Sequence, residues 1–268
     1  MKPVHLGVAI VLLVAVVLGA VVALGWLARR AGWPRRTLWT GGVIAALLVG
    51  GQALVVDGVL GRLGGGPGGP GGLGGLGDAD LPVLDWVVGH RDPVITGFAI
   101  VAASIGGTAS MTVLTVVTAL VLGYLGRWTA AAVVAATAAG GGLLVISLKA
   151  IYGRHRPPAV DQVIHYHGYS LPSGHALGST VVVGIVAAAF WSTRSSAAGR
   201  AAVAGLAGLI AAVVGVSRVY LAAHWLTDVV TGWLLGAAWL ALGITALALV
   251  RATSPAEGAT PRHDPLPR

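Results

Sequence analysis

Three short stretches of this chain carry side chains able to handle an anion. Pro172-Ser173-Gly174-His175 stands where a long apolar run begins. A proline in the first turn of a helix, a glycine that lets a ligand approach the backbone, and the unpaired N–H groups of a helix start together suit a phosphate, with His175 beside it to give or take a proton. By itself the tetrapeptide is equally a capped helix with a surface histidine. Upstream, Lys149 and Arg156 are separated by six residues and followed by Pro157 and Pro158. On a helix that spacing is nearly two turns, which would put an ammonium and a guanidinium fork on one face before the prolines end it. The other reading is snorkelling at a membrane edge, although fifteen of the seventeen basic residues are arginine, so a lysine at this position is conspicuous. Downstream, Ser217-Arg218 is followed by His224 and Asp228. Four residues apart on a helix, His224 and Asp228 would stack, the carboxylate taking one imidazole N–H and leaving the other nitrogen free as a nucleophile; a purely structural pair has the same spacing. Asp228 lies inside an apolar segment, where an unpaired carboxylate is costly, and this marks it as functional.

The elements that must position these groups are membrane helices. The 268 residues are 56% hydrophobic and 10% charged, with mean hydropathy +0.86, far outside the range of soluble domains. Apolar runs long enough to cross about 30 Å of hydrocarbon occupy residues 4–27, 38–60, 111–125 (with 94–103 leading into it), 129–151, 173–191, 201–219 and 225–250. The first is read as a retained span rather than a signal peptide, because Arg29, Arg30, Arg35 and Arg36 follow it. Residues 61–77 are almost all glycine with Pro67 and Pro70, a composition that reads as a linker, and with neither a preceding strand nor a Walker lysine it is no phosphate cradle. Residues 80–92 read as an amphipathic piece lying on the outer membrane surface and roofing the site, and 252–268 as a disordered tail. The net charge of +8 does not imply nucleic-acid binding, since the arginines fall at span ends. Arg29 to Arg36, Arg127, Arg194, Arg200 and Arg251 share one side, which should be cytoplasmic. Lys149, Arg154, Arg156, His175, Arg218 and His224 gather on the other against that bias, and anion binding supplies a reason. Cysteine is absent, which excludes disulfides and thiolate metal sites.

Taken together, K-x6-R-P, P-S-G-H and S-R-x5-H-x3-D, in this order, resemble the signature of the type 2 phosphatidic acid phosphatase (PAP2) family of membrane lipid phosphatases, over about residues 80–250. The resemblance implies an all-α polytopic membrane bundle, a six-helix phosphatase core preceded by one extra N-terminal transmembrane helix. The expected organisation is two N-terminal helices in 1–60, an extracytoplasmic linker in 61–79, the catalytic core in 80–251 and a cytoplasmic tail in 252–268. It further implies that His224 attacks phosphorus to give a phosphohistidine, Asp228 orients it, and His175 protonates the leaving oxygen. Lys149, Arg156, Arg218, Ser173 and Gly174 would hold the phosphate, with no cofactor or metal. The expected partner is a lipid phosphate or diphosphate in the plasma membrane, reached from the extracytoplasmic face: phosphatidic acid, phosphatidylglycerol phosphate and polyprenyl diphosphate all fit. His165, Tyr166, His167 and Tyr169 are candidates to touch the headgroup. A noncatalytic lipid binder or transporter that keeps the anion site is the alternative, and a soluble vanadate haloperoxidase is disfavoured by the spans.

Overall fold

The computed structural model describes residues 40–46, 49–51, 76–191 and 196–253, and among them there are helices and turns but no strand. The calls on residues 4–27, on most of the glycine-rich stretch and on residues 254–268 lie outside the described residues, and of the span expected at 38–60 only part of the helix Thr40–Gly51 falls within them. A 3-10 turn, Leu76–Ala79, leads into α1 (Asp80–Gly89), followed by α2 (Pro93–Ile105), α3 (Thr108–Tyr124), α4 (Trp128–Tyr152), α5 (Gly174–Phe190), α6 (Ala197–Tyr220) and α7 (Leu226–Thr253). Among the described residues, the five spans expected at 111–125, 129–151, 173–191, 201–219 and 225–250 are helices whose ends agree to within a few residues.

Local chemistry sets the helix ends. Asp92 caps α2, its Oδ1 accepting from the N–H groups of Val94 at 2.8 Å and Ile95 at 3.0 Å, with Pro93 in the first turn. The stretch expected merely to lead into the third span is thus a separate helix, and α2 meets α3 at a 45° bend over Gly106-Gly107. Glycine suits this bend because a Cβ on Gly106 would collide with the Val214 side chain on α6. A turn with Gly126 at φ 76° joins α3 to α4. Ser173 and Ser196 cap α5 and α6, each accepting from a backbone N–H three residues on.

Among the described residues three helices, Trp128–Tyr152, Ala197–Tyr220 and Leu226–Ala252, are long and apolar enough to cross a membrane, or four spans when the bent pair counts as one; α5 is apolar but shorter. Stripes of exposed apolar residues run along the bundle: Val113, Val116, Val117 and Leu120 on α3, and Val203, Leu206, Leu209, Val213 and Val216 on α6. Water would not tolerate so much contiguous apolar surface, but lipid does. This is the architecture of a multi-pass membrane protein.

The interior has two main apolar clusters. One, around Leu148, Tyr152, Leu171, Leu177, Val181 and Leu235, supports the end where α4 and α6 finish and α5 and α7 begin; the other, around Leu122, Val134, Ile185 and Leu247, closes the opposite end. α5 and α7 pack most closely. A Cβ on Gly232 would sit 2.8 Å from the Ser173 carbonyl oxygen and one on Gly236 3.0 Å from that of Leu177, so the GxxxG face of α7 lets two backbones touch. α1 is not an isolated surface piece. Leu81 and Trp86 face outward, while Asp80, Leu84 and Val87 are buried and Val87 joins Ala176, Val219 and Val229.

Candidate active site

All the chemistry-bearing residues come to one end of the bundle because α4 and α6 end there and α5 and α7 start there. α4 stops at Tyr152, with Gly153 in the left-handed conformation (φ 58°) donating to the Lys149 carbonyl. This corrects the expectation that Lys149 and Arg156 share a helical face. The helix ends before Pro157, and Arg156 reaches the site from a loop. Lys149 Nζ donates to the Tyr169 carbonyl at 2.7 Å, and Arg156 donates through Nε to Gly168 O at 3.1 Å and through Nη1 to Ala223 O at 2.6 Å. The two cations and the loop 166–169 are therefore tied together by backbone carbonyls rather than by helix periodicity.

At the start of α5, Ser173 is fully buried; its Oγ accepts from Ala176 N–H at 3.4 Å and its own N–H donates to the Asp228 carbonyl at 2.9 Å. The α5 N-terminus is thus fastened to the first turn of α7. The Leu171–Pro172 peptide before it is cis. Gly174 lies tight against α4, where a Cβ would meet Val145 Cγ1 at 3.2 Å, and the first amides of α5 have no partner within the helix. His175 projects towards the α2–α3 bend, with Nε2 3.9 Å from where a Gly107 Cβ would stand, and it interacts electrostatically with Arg218, His224, Lys149 and Arg156.

Arg218, in the last turn of α6, is 1% exposed. Its Nη1 donates to the Tyr166 hydroxyl at 3.0 Å and its guanidinium lies 4.4 Å from the Tyr166 ring centroid, while Nε and Nη2 are buried with no hydrogen-bond partner. Arg156 flanks the same ring at 5.5 Å. Two unsatisfied nitrogens of a buried cation cost free energy unless an anion takes their N–H groups.

His224 precedes α7 rather than lying on it, a second departure from the helical reading. It follows a turn in which Ala222 adopts φ 51°, a region that costs a β-carbon residue about 1 kcal/mol or more and that clusters at functional sites. Nδ1 lies 3.4 Å from Asp228 Oδ2, and Nε2 lies 3.3 Å from Arg156 Nη1. Guanidinium only donates, so Nε2 is the bare nitrogen and Nδ1–H faces the carboxylate. Burial pushes the imidazole down from its usual 6.5 to about 4; the hydrogen bond and charge of Asp228 oppose the shift, and Arg156 and Lys149 add to it. His224 is consequently neutral, with a lone pair aimed into the cationic cluster. Asp228 is fully buried; its Oδ2 also accepts from Trp225 N–H at 3.0 Å, as an acid in the third helical position does in a capping box.

Every site residue expected from the sequence, Lys149, Arg156, Ser173, Gly174, His175, Arg218, His224 and Asp228, is at this end. Four others belong with them. Arg154 donates from Nη1 to Asp228 Oδ1 at 2.5 Å and from Nη2 to Asp80 Oδ2 at 2.6 Å, Asp80 also binds the N–H and hydroxyl of Thr227, and Tyr166 lies between two arginines. Arg154 was visible as one of the basic residues on the outer side, and Tyr166 as one of the loop aromatics. Asp80 carried no signal beyond being an acid beside an apolar run. Among the described residues no three His, Cys, Asp or Glu side chains converge as a metal site would need.

Residues 128–251 match the PAP2 superfamily. The chain is 35% identical over 85 residues to phosphatidylglycerophosphatase B of Bacillus subtilis (strain 168), an alignment covering 30% of this chain and 39% of that relative. Its fold is similar to the crystal structure of the first transmembrane PAP2 type phosphatidylglycerolphosphate phosphatase from Bacillus subtilis, with TM-score 0.62 and 23% identity over 78% of this chain and 94% of that one. It is also similar to that of Aquifex aeolicus LpxE, with TM-score 0.50 and 21% identity over 63% and 95% of the two chains. At these identities the structural likeness speaks for the fold.

Proposed function

We propose, for a chain whose residues 128–251 belong to the PAP2 superfamily, that the protein is a membrane lipid phosphatase working through a phosphohistidine. The observation that carries this reading is Arg218, buried with Nε and Nη2 unpartnered beside a neutral histidine whose Nε2 is bare. Lys149, Arg156 and Arg218, with the Ser173 hydroxyl and the Gly174 N–H, hold the phosphoryl oxygens and stabilise the charge of the transition state. His224 Nε2 forms a bond to phosphorus as the bond from phosphorus to the lipid oxygen breaks, and His175 gives its proton to that oxygen. Asp228 keeps Nδ1–H in place and balances the imidazolium that results. Water then attacks phosphorus and passes a proton to His175, the P–N bond breaks, and phosphate leaves. The cations supply the charge neutralisation that Mg²⁺ supplies elsewhere, so no metal takes part.

The substrate is a lipid whose phosphate lies at headgroup depth. The name of the curated relative favours phosphatidylglycerol phosphate over phosphatidic acid or a polyprenyl diphosphate. The site faces the extracytoplasmic side of the cell membrane, a reading supported by Arg127, Arg200 and Arg251 at the far end of the bundle. The test is phosphate release from phosphatidylglycerol phosphate and from phosphatidic acid by purified full-length protein in lipid micelles, with and without EDTA. Release unaffected by EDTA is expected, and His224→Ala should lower it by at least ~10³-fold without loss of fold. Lipid binding with no release would make the protein a binder, and activity lost to EDTA and restored by Mg²⁺ would contradict the metal-free mechanism.

A further inference from the structure

The buried groups behind His224 form a chain of alternating charge that the three sequence motifs do not contain. Arg154 bridges two carboxylates, Asp228 Oδ1 at 2.5 Å and Asp80 Oδ2 at 2.6 Å. Its side chain is 10% exposed, and those of Asp80 and Asp228 are 4% and 0% exposed. Asp80 is itself held by Thr227, whose N–H donates to Oδ1 at 2.9 Å and whose hydroxyl donates to Oδ2 at 2.6 Å, and the Thr227 hydroxyl accepts from Arg154 Nη1 at 2.9 Å. The guanidinium also stacks over Trp225 at 5.5 Å from its ring centroid.

A helix cap alone needs none of this, because Asp228 already accepts from Trp225 N–H through Oδ2. The charge count explains the rest. If Arg154 met Asp228 alone, the pair would be neutral and His224 would face no negative charge when phosphorylation turns it into an imidazolium. With Asp80 included, the triad carries one net negative charge, and the fork fixes the carboxylate plane so that Oδ2 is the oxygen left for Nδ1–H. We propose that Asp80 and Arg154 are positioning residues of the catalytic histidine: Arg154 orients Asp228, and Asp80 restores the negative charge that Arg154 would otherwise cancel. The inference rests on the phosphatase reading above and adds to it a role for α1, which supplies Asp80 from outside the segment 128–251.

The experiment uses full-length protein in lipid micelles with phosphatidic acid as the probe, measuring kcat and KM together with folding by thermal melting. Asp80→Asn keeps the shape but leaves the triad neutral, and kcat is expected to fall roughly tenfold or more with KM within about twofold of wild type. Asp80→Glu keeps the charge and is expected to stay within about threefold of wild type. The double variant Asp80→Asn, Arg154→Gln returns the network to one negative charge with no unpaired cation. It is expected to turn over faster than Asp80→Asn alone, and within about tenfold of wild type whether or not the single variant folds. Asp80→Asn matching wild type, Asp80→Glu falling as far as Asp80→Asn, or a double variant more than about a hundredfold below wild type would overturn the proposal. Wild-type protein that releases no phosphate would instead remove the phosphatase reading on which it rests.

Discussion

His224 suits the nucleophile's role proposed for it because the fold holds it neutral and pins its tautomer, and both follow from its neighbours. Burial outweighs the attraction of Asp228 and carries its titration down to about 4. The sign of the consequence is fixed: in the unfolded chain the imidazole binds a proton below about 6.5, whereas in the folded chain it does not until about pH 4. His224 therefore withdraws stability as pH falls through that window. An NMR titration of ring-labelled histidines, assigned by difference with His224→Ala, should show His224 as a low-pH outlier, and a midpoint at or above the ordinary histidine value would contradict the buried neutral imidazole. At this scale the sequence was legible wherever chemistry imposes short spacing: His224 and Asp228 four apart, Pro172 to His175 in one turn. Asp80 was not legible as a site residue, and Arg154 was legible only as one cation of the outer cluster, because the bond between them joins positions 74 apart and Asp80 meets Thr227 across 147 residues. No periodicity links residues so distant. Only the folded end of the bundle brings them together.

The elements hold the site by their ends, so backbone contacts between helices matter more than side-chain fit. α5 and α7 touch through Gly232 and Gly236, and the Ser173 N–H to Asp228 carbonyl bond locks the first turn of α5 to the helix that carries the carboxylate. A methyl group at Gly232 would stand 2.8 Å from the Ser173 carbonyl oxygen, so Gly232→Ala should destabilise the protein by ~1–3 kcal/mol and lower turnover by shifting Ser173 and Gly174. Gly142→Ala on α4, where a Cβ meets nothing within 4 Å, is the control and should not lower the melting temperature. Equal melting temperatures for the two variants would mean that the α5–α7 contact is not the close one described. Helix spans were legible from apolar length, since a bilayer sets that length. Helix ends were read less well where glycine intervenes: Gly153 caps α4 four residues before Pro157, and Gly106-Gly107 bends what reads as one run into α2 and α3. A left-handed cap or a bend depends on what packs against the glycine, and a single sequence does not reveal that.

The whole molecule is a lipid-facing bundle with a cluster of basic side chains at one end, and the side on which that end lies decides which lipids it meets. The chain has no native cysteine, so single cysteines report sidedness directly. Val160, 90% exposed at the site end, when changed to Cys should react in intact cells with an impermeant maleimide; Ser196→Cys, exposed at the opposite end, should react only after the membrane is opened. The reverse pattern would put the site in the cytoplasm. The proposed orientation rests on Arg127, Arg200 and Arg251, which fall on the same side at successive turns, while the cations at the other end gather against that bias. The central claim is that this end of the bundle transfers a phosphoryl group to His224. The most direct measurement is rapid acid-free quenching of wild-type protein mixed with ³²P-labelled phosphatidic acid, followed by mapping of the protein-bound label. The account predicts an acid-labile, alkali-stable label on His224 that is absent from His224→Ala and accumulates when His175 is changed to slow hydrolysis more than transfer. Steady phosphate release with no label on His224 under any quench, or a label on another residue, would contradict it.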